Sequence, residues 1–546
     1  MSDTLQSADD NAKSAHLFVL IHGLWGGPNH MSTIERSIKE LLPECSKEII
    51  VTLKPSSFRF WKTYDGLKYN SQRIIQEIFY EIEILKQNKN YRVDKISIIG
   101  YSLGGLLSRY VIGMLNDLNV YSKIEPVFFT TFATPHVGIE FFKENVFDKG
   151  ANHIGQFIFG KSGREMFMRD AKNIMVTLAD PKETYYKGLA KFQKHILLAN
   201  IKNDRTVAFF TSYITDYSPF DDWETIKIKY LKDLPQARIG NSQVQPKFVD
   251  LTRSHALERE ESFPGNLQEE TSFFRSNRIA RTIIICSVAF FLLPFWIPMI
   301  FTSSLFASIY SMIKIRLLSA PNIDIHWKRV ENSVYGSSPV DPEDARIGEK
   351  ARDKRRKLSQ YESFKGDTSG ITENAMENIM YAEERFSGRT PQFRSHDEDR
   401  DDIQPIIEGR EDSLSDTDAE HSGERDIILD KKEKKQFVNI NTEGNDLAMK
   451  KHIKTLEVSD YSKFPLFKSR TKLPLGESKK FIIDSLNQLR WIKIPVYIDA
   501  WNSHDGIVAR RGPRTNPKGA ATIGLWCSIL RDHMKQLDIE TTGVHI

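Results

Sequence analysis

The stretch ISIIGYSLGGLLSRY, Ile96 to Tyr110, constrains the fold most, because it passes from an apolar strand to a helix through a turn only glycines permit. Gly100, Ser102 and Gly104 form G-x-S-x-G, in which a serine is lifted to the top of a sheet while glycines remove the Cβ atoms that would clash. Val93 to Ile99 is apolar enough for a strand buried on both faces, and Leu106, Leu107, Tyr110, Val111 and Met114 recur at helical spacing. Ser102 is therefore a candidate nucleophile. A tight turn whose serine merely caps the helix is the competing interpretation.

The preceding residues alternate between strand and helix patterns. HLFVLIH (His16 to His22) and EIIVTL (Glu48 to Leu53) read as strands, with helical spacing at Ile34, Ile38 and Leu41 between them. Ile74, Ile75, Ile78, Ile82 and Leu85 then share a helix face, and PVFFTTFATP and HILLAN read as later strands. This predicts an α/β fold with a doubly wound, mostly parallel sheet, whose functional groups gather at the carboxyl ends of strands.

At the end of the first strand stands HGLWGG, His22 to Gly27, where glycines let backbone N–H groups approach a substrate carbonyl. Leu24 and Leu103, the latter following the nucleophile, are the expected oxyanion donors, and His22, Gly23 and Trp25 the expected substrate contacts. A serine needs a base, and the base an orienting carboxylate. HILLANIKND ends in Asp204, the expected acid, with Asp216, Asp221 and Asp222 as competitors. WIKIPVYIDAW is the last strong strand, and His504 at its carboxyl end is the expected base. His533, on a final helical stretch, is second, and His136 in ATPHVG is expected to shape a loop beside the site.

HLFVLIHGLWGG, GYSLGG, ATPHVG, ANIKNDRTV and SHDGIVARR together resemble the lipase-like putative serine esterase family, in its fungal membrane and lipid-droplet branch. The resemblance covers about residues 12 to 215 and 470 to 540. It implies an α/β-hydrolase fold and hydrolysis of acyl esters of phospholipids or acylglycerols, with Ser102, Asp204 and His504 at the family's triad positions; no cofactor or metal is expected. That order along the chain is the α/β-hydrolase order. Related members often carry proline where this chain has Ala208.

A second feature concerns placement. Thr282 to Ile313 is 32 residues without a charge, too long for one span of about 20 residues and too short for two full ones, with Pro294 and Pro298 near its centre. Arg275, Arg278 and Arg281 precede it and Lys314, Arg316, Lys328 and Arg329 follow, so both ends read as cytosolic. A membrane hairpin fits better than a single tilted transmembrane helix, because a single span would separate Ser102 from His504. From 331 to about 450 the chain is charged and poor in aromatics, as a disordered linker is.

The expected organisation is a polar tail 1–14, the main hydrolase part 15–270, the membrane segment 282–313, the linker 331–450, and a closing hydrolase part 465–546. Phe141 to Gly188 is the expected lid. The net charge of +4 is small for 546 residues, and no basic run is interleaved with aromatics, so a nucleic-acid partner is excluded. Cys45, Cys286 and Cys527 are too few and scattered for a disulfide framework or zinc site, and the acidic start lacks a secretory signal. The expected partners are a lipid substrate and a membrane or lipid-droplet surface, at lipid droplet or endoplasmic reticulum, with the hydrolase facing the cytosol; oligomeric state is left open. The alternatives are a catalytically silent interaction module and an acyl-protein thioesterase.

Overall fold

In the computed structural model, residues 12–43, 47–142, 155–234, 237–239, 242–257, 322–336, 452–457, 461–500 and 502–542 are described, with 152–153 and a few between 302 and 313. Along the chain run β1 (Lys13–Ile21), α1 (Ser32–Leu41), β2 (Ile49–Leu53), α2 (Leu67–Lys89), β3 (Tyr91–Tyr101), α3 (Leu103–Asp117), β4 (Glu125–Phe132), β5 (Lys194–Asn200) and β6 (Lys247–Phe248). After these come α4 (Ile323–Val330), α5 (Glu477–Leu486), β7 (Trp491–Tyr497) and α6 (Pro517–Thr542).

The strands make one sheet in the order β2–β1–β3–β4–β5–β7–β6, parallel throughout except for β6, which runs against β7. Alternation along the strands divides the core into two layers. Leu17, Val19 and Ile21 of β1 meet α2 and α3 through Ile74, Ile78, Leu106 and Leu107, whereas Phe18 and Leu20 meet α1 and α6 through Ile34, Ile38, Ile523 and Trp526. Burial on both faces is what continuous apolar runs produce in parallel sheet. From β1 the chain moves outward to β2, then back to β3 on the other side, which makes the carboxyl ends of β1 and β3 a switch point where such sheets bind ligands.

β7 joins β5 from far along the chain, with Trp491 opposite His195 and Val496 opposite Asn200. Two fully buried tryptophans hold this late segment. Trp491 packs on Phe129 at 5.9 Å, and its Nε1 donates to the Leu486 carbonyl at 2.8 Å; Trp526 packs on Phe132 at 5.4 Å, and its Nε1 donates to Thr130 Oγ1 at 3.2 Å. Burial of a large apolar side chain contributes about 1.5–3 kcal/mol, and the hydrogen bonds remove the cost of burying each indole N–H. Lys493 is fully buried too, and its ammonium donates to Asn487 Oδ1 at 2.7 Å, Tyr461 Oη at 3.1 Å and the Ile214 carbonyl at 3.2 Å.

Two expectations change. Residues 331–336 are not linker: α4 continues through Glu331–Tyr335, the Trp327 ring packs tilted with its centroid 5.2 Å from that of Phe79 of α2, Arg329 Nε donates to Glu83 at 2.9 Å, and Tyr335 Oη donates to the Val93 carbonyl at 2.5 Å. Four buried residues, Ile323, His326, Trp327 and Val330, give this short helix a face to bury despite its charges. The second half of the expected lid is body, since the helix Thr184–Ala190 packs on α3, where a β carbon on Gly113 would strike the backbone and ring of Tyr185. Gly160–Met166 is also tied down: Ser162 Oγ donates to the Thr63 carbonyl at 2.5 Å, and Glu165, whose carboxyl burial pushes up to about 7, accepts the Leu67 N–H at 2.7 Å. Residues 143–151 of the lid, 337–451 of the linker and most of 282–313 lie outside the described residues. No helix among the described residues is long and apolar enough to cross a membrane.

Candidate active site

At the end of β3, Ser102 adopts φ 55° and ψ −127°, a costly conformation for a residue with a side chain. The neighbouring glycines explain how the chain tolerates it. A β carbon on Gly104 would collide with the carbonyl oxygens of Ile21 and His22, and one on Gly100 with the backbone of Gly105, so β1, the elbow and the start of α3 touch backbone to backbone. The Ser102 N–H donates to the Phe132 carbonyl at 2.9 Å, fixing the turn to β4.

The acid follows β5. Asp204 Oδ1 accepts the N–H groups of Thr206 at 3.0 Å and Val207 at 2.8 Å, and Oδ2 accepts Asn200 Nδ2 at 2.8 Å. The histidine follows β7, in the helical turn Ser503–Gly506, which Asn502 caps by accepting the His504 N–H at 3.2 Å. The two loops are stitched together: Ser503 Oγ donates to the Lys202 carbonyl at 2.6 Å, the Ser503 N–H to the Asn203 carbonyl at 3.1 Å, and Asn200 Nδ2 to the Ser503 carbonyl at 3.1 Å.

This framework brings Ser102, His504 and Asp204 into one chain of hydrogen bonds. His504 Nε2 lies 3.0 Å from Ser102 Oγ, and Nδ1 lies 3.0 Å from Asp204 Oδ2. Burial disfavours the charged imidazole, but the charge and hydrogen bond of Asp204, helped by Asp505, outweigh it and hold His504 above its ordinary pKa. Sequence patterning did not single out two supporting residues. Asn200 bridges acid and base loops, while Tyr101 Oη donates to the His504 carbonyl at 3.1 Å and to Asp505 Oδ1 at 3.2 Å. The available signals were a polar residue closing the apolar run HILLAN and a hydroxyl inside the elbow motif.

The HGLWGG loop lies directly against the serine. A β carbon on Gly23 would stand 2.8 Å from Ser102 Cβ and 3.3 Å from its Oγ, so Leu24 follows at the serine's edge. Leu103 opens α3, where the first N–H groups have no intrahelical acceptor. Trp25, at φ 53°, donates its N–H to Thr63 Oγ1 at 3.3 Å and its indole N–H to Tyr64 Oη at 2.7 Å, and it packs against Phe159 at 5.6 Å. His22 departs from expectation: its ring is fully buried, stacked 4.1 Å from Phe58, and burial lowers its pKa to about 3. An imidazole sealed there shapes the loop from within the core.

The other candidates lie elsewhere. His533 meets Gln193 Oε1 at 2.8 Å, just before β5 begins and so at the opposite end of the sheet from Ser102; burial lowers it to about 4. His136 is buried on Thr131 Oγ1 at 2.9 Å, and Arg109 Nη1 donates to its carbonyl at 3.2 Å. Asp216 pairs with Lys472 at 3.2 Å, and Asp221 and Asp222 border a separate cleft with Arg470. Among the described residues, His, Cys, Asp and Glu nowhere converge as metal ligands would.

Residues 11–215 match the family model described as putative serine esterase (DUF676). A Schizosaccharomyces pombe protein named a putative lipase is 28% identical over 213 residues, covering 37% of this chain and 26% of its own length. A Saccharomyces cerevisiae protein, also named a putative lipase, is 27% identical over 223 residues, covering 38% and 32%. The chain thus spans about a quarter to a third of the length of these curated relatives. Among solved structures, Est1E from Butyrivibrio proteoclasticus is 14% identical, covering 36% of this chain and 72% of its own, with a TM-score of 0.22. The elbow, the HGLWGG loop and the Asp204 loop all fall inside the residues that are similar to the putative serine esterase family.

Proposed function

We propose that this chain is a lipid-associated serine hydrolase that cleaves acyl esters of phospholipids or acylglycerols. The observation that carries this is the pair of 3.0 Å contacts joining Ser102 Oγ, His504 and Asp204. Ser102 Oγ attacks the ester carbonyl carbon while its proton passes to His504 Nε2, and Asp204 stabilises the imidazolium that forms. The N–H groups of Leu24 and Leu103 receive the oxyanion. His504 then protonates the departing alkoxide, leaving an acyl-serine. Water attacks that ester, gives its proton to His504, and releases the carboxylic acid with Ser102 restored.

Support for lipid as the substrate comes from the relatives' names and from the uncharged stretch Thr282 to Ile313 with its basic flanks. Placement at the endoplasmic reticulum membrane or a lipid droplet, with the hydrolase facing the cytosol, follows from the same stretch. A fluorophosphonate probe should label the protein, and Ser102→Ala should remove both the label and esterase turnover. Turnover that survives Ser102→Ala would end this proposal in favour of a silent interaction module.

A further inference from the structure

The described residues between 302 and 313, in the last part of the uncharged stretch, present their polarity inside out. Among those described, Ser308 and Ser311 are buried against the protein, at helical spacing, while Leu305, Phe306, Ile309, Tyr310 and Ile313 point outward, Phe306 being 73% exposed. Ser311 Oγ donates to Asp65 Oδ1 at 2.5 Å, and Ser308 Oγ donates to the carbonyls of Ile158 at 3.1 Å and Phe157 at 3.3 Å. Asp65 is itself buried and held by Arg73 at 2.8 Å. A surface helix in water does the reverse, with apolar residues inward.

These contacts lead to the serine. Asp65 ends the turn Phe60–Asp65, whose Thr63 and Tyr64 hold Trp25, and Phe159 packs on Trp25 from the segment that Ser308 grips. Trp25 follows Gly23 and Leu24, and Gly23 touches Ser102. We infer that Leu305, Phe306, Ile309, Tyr310 and Ile313, with half-exposed Phe157, form a lipid-docking face that sets the rim of the Ser102 site against the acyl-chain region of a bilayer or monolayer. The occupant is lipid because in sequence the face continues an uncharged, apolar stretch, and because Lys314 and Arg316 follow it at once, with charge complementary to headgroup phosphates. The Ser311–Asp65 bond is then a positioning contact, joining the lipid-facing helix to the oxyanion loop. This rests on the hydrolase proposal for the source of its ester, but its test is separate.

The full chain carrying Tyr310→Trp is mixed with phosphatidylcholine vesicles with or without bromine on the acyl chains. The fluorescence added by the substitution should be largely quenched by the brominated lipid. Phe306→Asp together with Ile309→Asp should lower turnover of a vesicle-embedded ester about ten-fold or more, given the cost of a charge in hydrocarbon, with turnover of a soluble short-chain ester held within about two-fold. Added fluorescence that brominated lipid leaves unquenched means that protein covers the face, a second copy or residues 283–300, and overturns the inference. Equal loss on both esters overturns it as well. Soluble-ester turnover that survives Ser102→Ala would instead overturn the hydrolase proposal, whatever the quenching result.

Discussion

Asp204 Oδ2 stands 3.0 Å from His504 Nδ1 and accepts Asn200 Nδ2 at 2.8 Å, so one carboxylate oxygen orients the imidazole and ties it to the end of β5. This arrangement demands the tautomer with the proton on Nδ1, leaving Nε2 free to take the serine proton. Asp204→Asn keeps the shape and reverses that preference. Turnover should fall about 10⁴-fold while His533→Ala, at the far end of the sheet, stays within about three-fold. Steady-state kinetics on a soluble ester checks both, and a large loss in the His533 variant would move the base to α6.

The pH profile follows from the raised pKa of His504. The base works neutral, so turnover should rise with pH through a value above the ordinary 6.5. Asp505→Asn retains an acceptor for Tyr101 but deletes an anion beside the ring, and should move this limb to lower pH. Stability has the opposite sign. A group raised in the fold contributes fully below the unfolded value of 6.5 and loses that contribution as pH climbs through the folded one, so Asp505→Asn should flatten the decline in denaturation midpoints across that window.

Ala208 already has proline geometry. Its φ of −65° and ψ of 152° match what a proline ring would impose, so the acid loop reaches its shape without one. Ala208→Pro should therefore stabilise by about 0.4–1 kcal/mol through the unfolded chain, with turnover unchanged. A urea melt that moves to lower denaturant would show that the Val207–Ala208 junction has no room for the ring.

Both sides of the uncharged stretch belong to one folded body: β1 to β5 come before it, and α4, β7 and α6 after it. Tags at the N-terminus and near residue 440 should thus both be cut by protease added to intact microsomes, and the protein should move to droplets when neutral lipid accumulates. Protection of one tag alone would require a single span, which this sheet does not allow.

The parallel sheet was legible because strands buried on both faces leave continuous apolar runs, and Ser102, Asp204 and His504 were legible because each follows such a run directly. β6 was not, since two residues, Lys247 and Phe248, carry no period. α4 was hidden for a different reason: IDIHWKRV is short and charged, and its helix depends on burying Trp327 against Phe79 rather than on propensity. The misassignment of His22 arose from counting it with the loop, when its side chain belongs to the core beside Phe58. Asn200 and Tyr101 act through partners hundreds of residues away in the sequence, which no local pattern encodes.

The late arrival of β7 has a meaning in time as well as in space. Ser102 and His504 are 402 residues apart, and at about 5–20 residues per second a ribosome takes about 20–80 s to make the second after the first. Throughout that interval the newborn chain has a serine without a base, and from Asn200 onward a β5 whose outer edge is unpaired, an invitation to wrong partners. Once β7 closes that edge, the same strand delivers the histidine. The chain thus becomes chemically competent only when it is no longer sticky, and the apolar stretch has left the ribosome well before either happens.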